Sequence, residues 1–119
     1  MDKRKQTGQQ GEDIAARYLA EKGYKIVQRN WRSLAGELDI IAQDGSALVF
    51  VEVRTRSSRR FGPPEESITP TKQNKLIELA ETYLQETSTP DRSWRIDVVA
   101  VQFGPGLPQV NHIENAVGW

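Results

Sequence analysis

Residues 37–54 read ELDIIAQDGSALVFVEVR. Two runs rich in Ile, Val and Leu, residues 37–43 and 47–55, flank Asp44-Gly45. Asp-Gly between such runs is the strongest short-range signal for a β-hairpin. Glu37 and Asp39 on one run, and Glu52 and Arg54 on the other, occupy alternate positions, and alternate strand residues share a face. Turn length decides how the acids meet. A two-residue turn sets Gln43 opposite Ser46, Asp39 opposite Phe50 and Glu37 opposite Glu52. Asp39 and Glu52 are then diagonal neighbours, their backbones about 7–8 Å apart. A four-residue turn makes them direct neighbours at about 4.5–5.5 Å. A three-residue loop separates them onto opposite faces.

Working outward from the hairpin, the chain reads as one α/β domain, residues 1–119, with residues 1–7 a polar, basic, frayed terminus. Ile14, Ala15, Tyr18 and Leu19 recur at helical spacing and Gly23 supplies a stop, predicting a first helix over 8–22. Residues 24–31 alternate as a strand, and Leu34-Ala35-Gly36 is a loop. Residues 57–64 form a basic loop whose Pro63-Pro64 opposes both helix and central strand. Thr69 and Pro70 fit the N-cap and first position of a second helix, with Leu76, Ile77, Ala80, Tyr83 and Leu84 as its apolar stripe. Residues 94–103 and 110–114 are strands. The order α-β-β-β-α-β-β implies a partly antiparallel mixed sheet of four to five strands flanked by two main helices.

The acids at the hairpin pose a chemical problem. Carboxylates so placed repel each other, and among apolar strand residues an uncompensated charge is costly. A cation resolves both. Oxygen ligands without His or Cys nearby favour Mg²⁺ or Mn²⁺ over Zn²⁺. Such an ion keeps waters, binds phosphate oxygens and can generate a hydroxide nucleophile. Arg54 can hold a phosphate oxygen in a fork. The plainer alternative pairs the acids with Arg54 or Arg32 at a sheet edge.

Charge supports an anionic partner. The chain has 16 basic and 16 acidic side chains and no net charge. Residues 1–60 nevertheless hold 12 Lys/Arg against 8 Asp/Glu, and residues 61–119 hold 4 against 8. This asymmetry points to a polyanion near the first half. Arg54, Arg56, Arg59 and Arg60 form a basic cluster suited to phosphates, with Lys3, Arg4 and Lys5 as an arm. The absence of cysteine excludes disulfides and thiolate chemistry. With no apolar leader at the start and no apolar run approaching a membrane span, the expected location is the cytoplasm.

Several blocks resemble a known family. Gly11-Glu12, Gly36-Glu37-Leu38-Asp39-Ile40-Ile41-Ala42 and Val49-Phe50-Val51-Glu52-Val53-Arg54 are similar to signatures of the YraN-like proteins of bacteria. Lys72, Ala80-x-x-Tyr83-Leu84 and Arg95-Ile96-Asp97-Val98-Val99 continue the resemblance in order, over about residues 8–116. It implies a restriction-endonuclease-like fold similar to Holliday-junction resolvases, and a metal-dependent nuclease core acting on DNA. Asp39 and Glu52 would be the metal acids, with Glu12 as an additional acid and Lys72 among the nucleic-acid contacts. By analogy with resolvases, which cut two strands, it also implies a homodimer. One departure matters: the third motif should end in Lys, and here it is Glu52-Val53-Arg54. Arg keeps the charge but is not deprotonated in proteins. Lys72 or Lys75 could supply an amine from the second helix.

Three function classes follow. The first is a Mg²⁺-dependent phosphodiesterase acting on DNA, with branched DNA as one substrate. The second is a non-catalytic nucleic-acid-binding protein that keeps the nuclease fold, Arg54 replacing the catalytic Lys. The third is an interaction protein using its acidic second half. Trp31, Trp94 and Trp119 read as packing residues, and the single histidine, His112, as structural. Arg95 and Asp97 read as the polar face of a strand.

Overall fold

The computed structural model describes residues 3–57 and 68–117, of residues 3–5 the backbone alone. Seven elements follow the expected order: α1 (Lys3–Glu21), β1 (Lys25–Ser33), β2 (Gly36–Asp44), β3 (Ala47–Arg56), α2 (Pro70–Glu86), β4 (Trp94–Gln102) and β5 (Gln109–Ile113). The five strands form one sheet in spatial order β1-β2-β3-β4-β5. The β3–β4 pair is parallel and the others are antiparallel. The architecture is thus the α/β mixed sheet with two main helices that the sequence implies. No described helix is long and apolar enough to cross a membrane.

The helices divide the sheet's faces. Ala15 and Leu19 of α1 pack with Tyr24, Ile40, Ala42, Val49, Val51, Val99 and Val101. Leu76, Leu79, Ala80, Tyr83 and Leu84 of α2 pack with Trp31, Leu38, Ile41, Leu48, Phe50 and Ile96. Alternating residues of β3 therefore serve opposite cores, which is why residues 48–51 are apolar without interruption. Strands buried on both faces read this way. Trp31 and Trp94 are packing residues as expected; Trp119 lies outside the described residues.

Three local features differ from expectation. Helix α1 starts at Lys3, not residue 8, because residues 3–7 are mostly good helix formers and nothing breaks the turn. Leu79 of α2, absent from the expected stripe, is fully buried beside it. The hairpin turn is Gly45-Ser46, with Asp44 paired to Ala47, so Asp44-Gly45 is not the two-residue turn. Gly45 has φ +60°, the glycine-first form of a tight hairpin turn. The pairing this gives, Gln43↔Leu48, is the register of a four-residue turn closed by one further pair.

Helix α1 reaches the sheet over β3 through Gly11, where a Cβ would collide with the Thr55 side chain. Gly11→Ala is therefore expected to destabilise the fold by about 1–3 kcal/mol, the usual range for overpacking. Thr55→Ala should recover most of that loss. Urea titration of the two single variants and the double variant measures both effects.

Candidate metal and phosphate site

The site forms where the β2–β3 ladder ends. Pairing runs from Asp44↔Ala47 to Ile40↔Val51, and Asp39 and Glu52 are the next residues on the two strands, beyond the last pair. There the main-chain ladder gives way: the Asp39 carboxylate accepts the Val53 N–H at 2.9 Å. On the other side of β2, β1 is bent at Asn30, whose φ is +54°. Asparagine is among the residues that enter this left-handed region most readily. The bend coincides with a change of faces. Ile40 belongs to the α1 core, whereas Trp31 and Leu38, paired with each other, belong to the α2 core. A second irregularity at Val27 shifts the β1–β2 register between Ile26 and Gln28.

Glu52 alternates with Phe50 and so faces α2. It is 7 % exposed. Two cations approach it: Lys72 Nζ at 3.5 Å and Arg54 at 3.8 Å. Lys72 stands in the first turn of α2, whose start is set by Pro70 and by the Thr69 hydroxyl accepting the Lys72 N–H at 3.1 Å. A cation there opposes the helix dipole. The buried carboxylate of Glu52 offsets that cost. Lys75 pairs with Glu78 at 3.6 Å, so of the two amines it is Lys72 that reaches Glu52.

Both central carboxylates hold protons more tightly than usual. Burial, then the charge of Glu52, push Asp39 up to about 7, against the opposing effect of the Val53 N–H. Glu12 and Glu37 add in the same direction. Glu52 is raised chiefly by burial, with Lys72 and Arg54 pulling it back. Carboxylates brought together with little water favour the protonated form.

The remaining expected residues lie around this pair. Glu12, on α1, contacts Arg29 at 3.2 Å, and Arg29 also holds Asp13 at 2.6 Å. Glu37 pairs with Arg32 at 2.9 Å. Arg56 ends β3; its carbonyl accepts from Phe103 and Gln102, and its Nε is buried without a hydrogen-bond partner. Arg59 and Arg60 lie outside the described residues, as do Phe61, Pro63 and Pro64 and the side chains of Lys3, Arg4 and Lys5. Among the described residues no three or more His, Cys, Asp or Glu side chains gather closely enough to enclose a metal ion. Two carboxylates do fit Mg²⁺, which is commonly bound by one or two carboxylates plus waters and substrate phosphate.

A second polar cluster was not legible as such. Asp97, read as part of a polar strand face, is completely buried on the α1 side. It accepts from Arg95 Nε at 3.0 Å and from the Asn115 N–H at 2.9 Å. His112 Nε2 lies 2.8 Å from its other oxygen. Lys22 Nζ lies 2.9 Å from His112 Nδ1. An ammonium only donates, so Nδ1 accepts and Nε2 carries the proton toward Asp97. Arg95 also reaches Asp44 at 3.2 Å and the Tyr24 hydroxyl at 2.7 Å. Tyr24 donates to Glu114 at 3.0 Å, and burial first, then that bond, push its hydroxyl up to about 12. The cluster ties α1, β4, β5 and the segment after β5 together, and His112 is structural as expected.

Residues 11–101 match the family model described as an uncharacterised protein family, UPF0102. A UPF0102 protein of Geobacter metallireducens is 43% identical over 112 residues, covering 94% of this chain and 92% of the relative. One from Rhodococcus opacus is 48% identical over 110 residues, covering 92% and 93%. Among solved structures, SfsA of Pyrococcus furiosus in complex with Ca²⁺ aligns with a TM-score of 0.44 and 14% identity. The match covers 98% of this chain, which spans 65% of that one.

Proposed function

Given that the chain belongs to the family UPF0102, the YraN-like group its motifs resemble, we propose that it is a divalent-metal-dependent phosphodiesterase cutting DNA. The supporting observation is that Asp39 and Glu52 come together where the β2–β3 ladder ends, both raised by burial, with Lys72 and Arg54 beside Glu52. Asp39 and Glu52 would hold Mg²⁺ or Mn²⁺ through oxygen ligands. When bound, such an ion supplies Lewis-acid stabilisation of the phosphate and lowers the pKa of an attacking water.

The protein's own groups do the rest. The Val53 N–H fixes the Asp39 carboxylate in place. Lys72 and Arg54 offer positive charge to the anionic phosphate oxygens, and preorganised charge of this kind is worth most in a site partly closed to water. Arg54 supplies a planar fork; the amine that the motif would carry at position 54 is brought instead by Lys72 from α2. Glu12 remains held by Arg29 as an outlying acid. Arg56, Arg59 and Arg60 are the proposed contacts to backbone phosphates. Branched DNA is the narrower substrate expectation.

Cleavage assays with duplex, single-stranded and four-way-junction DNA, with Mg²⁺ or Mn²⁺ and with chelator, test this reading. Cutting should require the cation. Glu52→Gln and Lys72→Ala should each lower the rate by roughly 10²–10³-fold, the usual loss when one charge-stabilising group is removed. Arg54→Lys keeps the charge and loses the planar fork, so the rate should fall, but by less than for Lys72→Ala. Binding without cutting under every cation would establish the non-catalytic nucleic-acid-binding reading instead. Absence of binding to any of these DNAs would defeat both.

A further inference from the structure

We propose that Arg29 stands in the place of a second cation: it holds Glu12 out of the ligand set, so that the Asp39–Glu52 pair takes a single divalent ion. This rests on the cation that the phosphodiesterase reading assigns to Asp39 and Glu52, and not on the cutting of DNA. It parts from the family resemblance, which would make Glu12 a further acid of the site.

Local packing carries Glu12 to this end of the sheet. It follows Gly11, where α1 lies against Thr55 of β3. Its charge is felt at Asp39, whose proton it helps to hold. Its side chain is only 14 % exposed, so little water remains to solvate a free carboxylate. Such a group needs a cation, and Arg29 is that cation. Its Nε at 3.3 Å and Nη2 at 3.2 Å both donate to the same oxygen, Oε1.

Arg29 is itself fixed from two sides. In the sheet it pairs with Ile40, the neighbour of Asp39 along β2, and the left-handed Asn30 follows it. On α1, Asp13 accepts from Nη2 at 2.6 Å. The Asp13 bond does most to raise the guanidinium above its ordinary value; burial opposes it, and the Glu12 contacts add to it. One planar fork thus spans two successive carboxylates of the helix, and it does not let them go by losing a proton. A divalent ion could take Glu12 only beside a guanidinium that Asp13 keeps in place, and the two like charges would repel. The contacts at Glu52 are longer, with Lys72 at 3.5 Å and Arg54 at 3.8 Å, which leaves that carboxylate easier to recruit. In keeping with this, among the described residues no three acids gather closely enough to enclose an ion.

Mn²⁺ titration, followed by the electron paramagnetic resonance of the free ion, counts bound ions without any DNA. The unsubstituted chain should bind one. Arg29→Gln should bind a second and hold the first roughly tenfold more tightly, the order of effect of a unit charge several ångströms away at an effective dielectric constant of about 20. Adding Glu12→Gln to that chain should return the count to one. Glu12→Gln alone should weaken Mn²⁺ binding less than Glu52→Gln does. Arg29→Lys keeps the charge and should still bind one ion. Arg32→Gln removes a like charge from the neighbouring pair with Glu37 and should add no second ion. A single ion on Arg29→Gln, or a loss in Glu12→Gln equal to that in Glu52→Gln, would overturn the proposal. The second comparison decides even where Arg29→Gln does not fold. One ion bound by a chain that cuts no DNA leaves the role of Arg29 standing and removes the phosphodiesterase reading. Cutting by a chain whose Mn²⁺ binding is lost in Glu12→Gln does the reverse. No Mn²⁺ on any of these chains would remove both.

Discussion

At pH 8, Asp39→Asn should melt at a higher temperature than the unsubstituted chain, and Mg²⁺ or Mn²⁺ should no longer raise its melting temperature. Asparagine is nearly isosteric and its carbonyl oxygen can still accept the Val53 N–H that Asp39 holds at 2.9 Å. What it removes is a partly buried charge close to Glu52, the causes that push Asp39 up to about 7 from an ordinary 3.8. The sign follows from linkage. The unfolded chain releases the Asp39 proton near its ordinary value, whereas the folded chain keeps it until about 7. Between those values the folded state binds more protons, so stability falls as pH rises, and the penalty is complete above 7. The advantage of Asp39→Asn should therefore be absent near pH 3, grow through that window and level off above it. We expect on the order of 2 kcal/mol, or roughly 8 °C, at the plateau. In the unsubstituted chain a cation bound to the folded state adds its own mass-action stabilisation. Thermal melts across pH, with and without cation, separate the two effects. A lower melting temperature for Asp39→Asn at pH 8 would mean the carboxylate serves only as a hydrogen-bond acceptor and would remove the basis for a cation there.

How much of this was readable from sequence depends on the range of the interaction. The hairpin, both helices and the order of elements along the chain follow from local periodicity and turn residues. The approach of Asp39 to Glu52 was left open because it depends on the turn, and a shift of one residue at Gly45-Ser46 changes every pairing. Nothing local announces the bend at Asn30, since asparagine is also common in ordinary turns. The approach of Lys72 to Glu52 joins elements separated by residues 57–69, and no pattern within either element encodes it. Lys75, one helical turn later, looked equivalent in the sequence; only the packing of α2 distinguishes them.

Asp97 illustrates a different failure. A polar residue alternating with apolar ones reads as the wet face of a strand, and Arg95 beside it strengthened that impression. Yet residues 98–101 are Val-Val-Ala-Val, continuous rather than alternating, which is the mark of a strand covered on both faces. In such a strand a carboxylate is buried and must be fully bonded. That condition is met: Arg95, His112 and the Asn115 N–H satisfy both oxygens.

Asp97→Ala is accordingly expected to cost about 3–5 kcal/mol, the range for removing one member of a buried ionic pair. That is a large part of the roughly 5–15 kcal/mol that holds a typical domain together. The loss is local in origin. His112, whose side chain is 1 % exposed, would keep its Nε2 proton with no acceptor. The Asn115 N–H would lose its partner, loosening the segment that also sends the Ala116 N–H to the Ile96 carbonyl at 2.8 Å and buries Val117 against α2. Asp97→Asn should cost less. Its oxygen can still accept from Arg95 and Asn115, but its amide would face His112 Nε2. To accept that amide, the imidazole must move its proton to Nδ1, against the Lys22 ammonium at 2.9 Å. Urea unfolding should therefore rank the chains as unsubstituted, then Asp97→Asn, then Asp97→Ala. The same ranking should appear in amide exchange of β5, with the β2–β3 hairpin least affected. If Asp97→Ala unfolds within about 1 kcal/mol of the unsubstituted chain, the buried cluster does not hold the C-terminal strand, and β5 must be retained by its ladder with β4 alone.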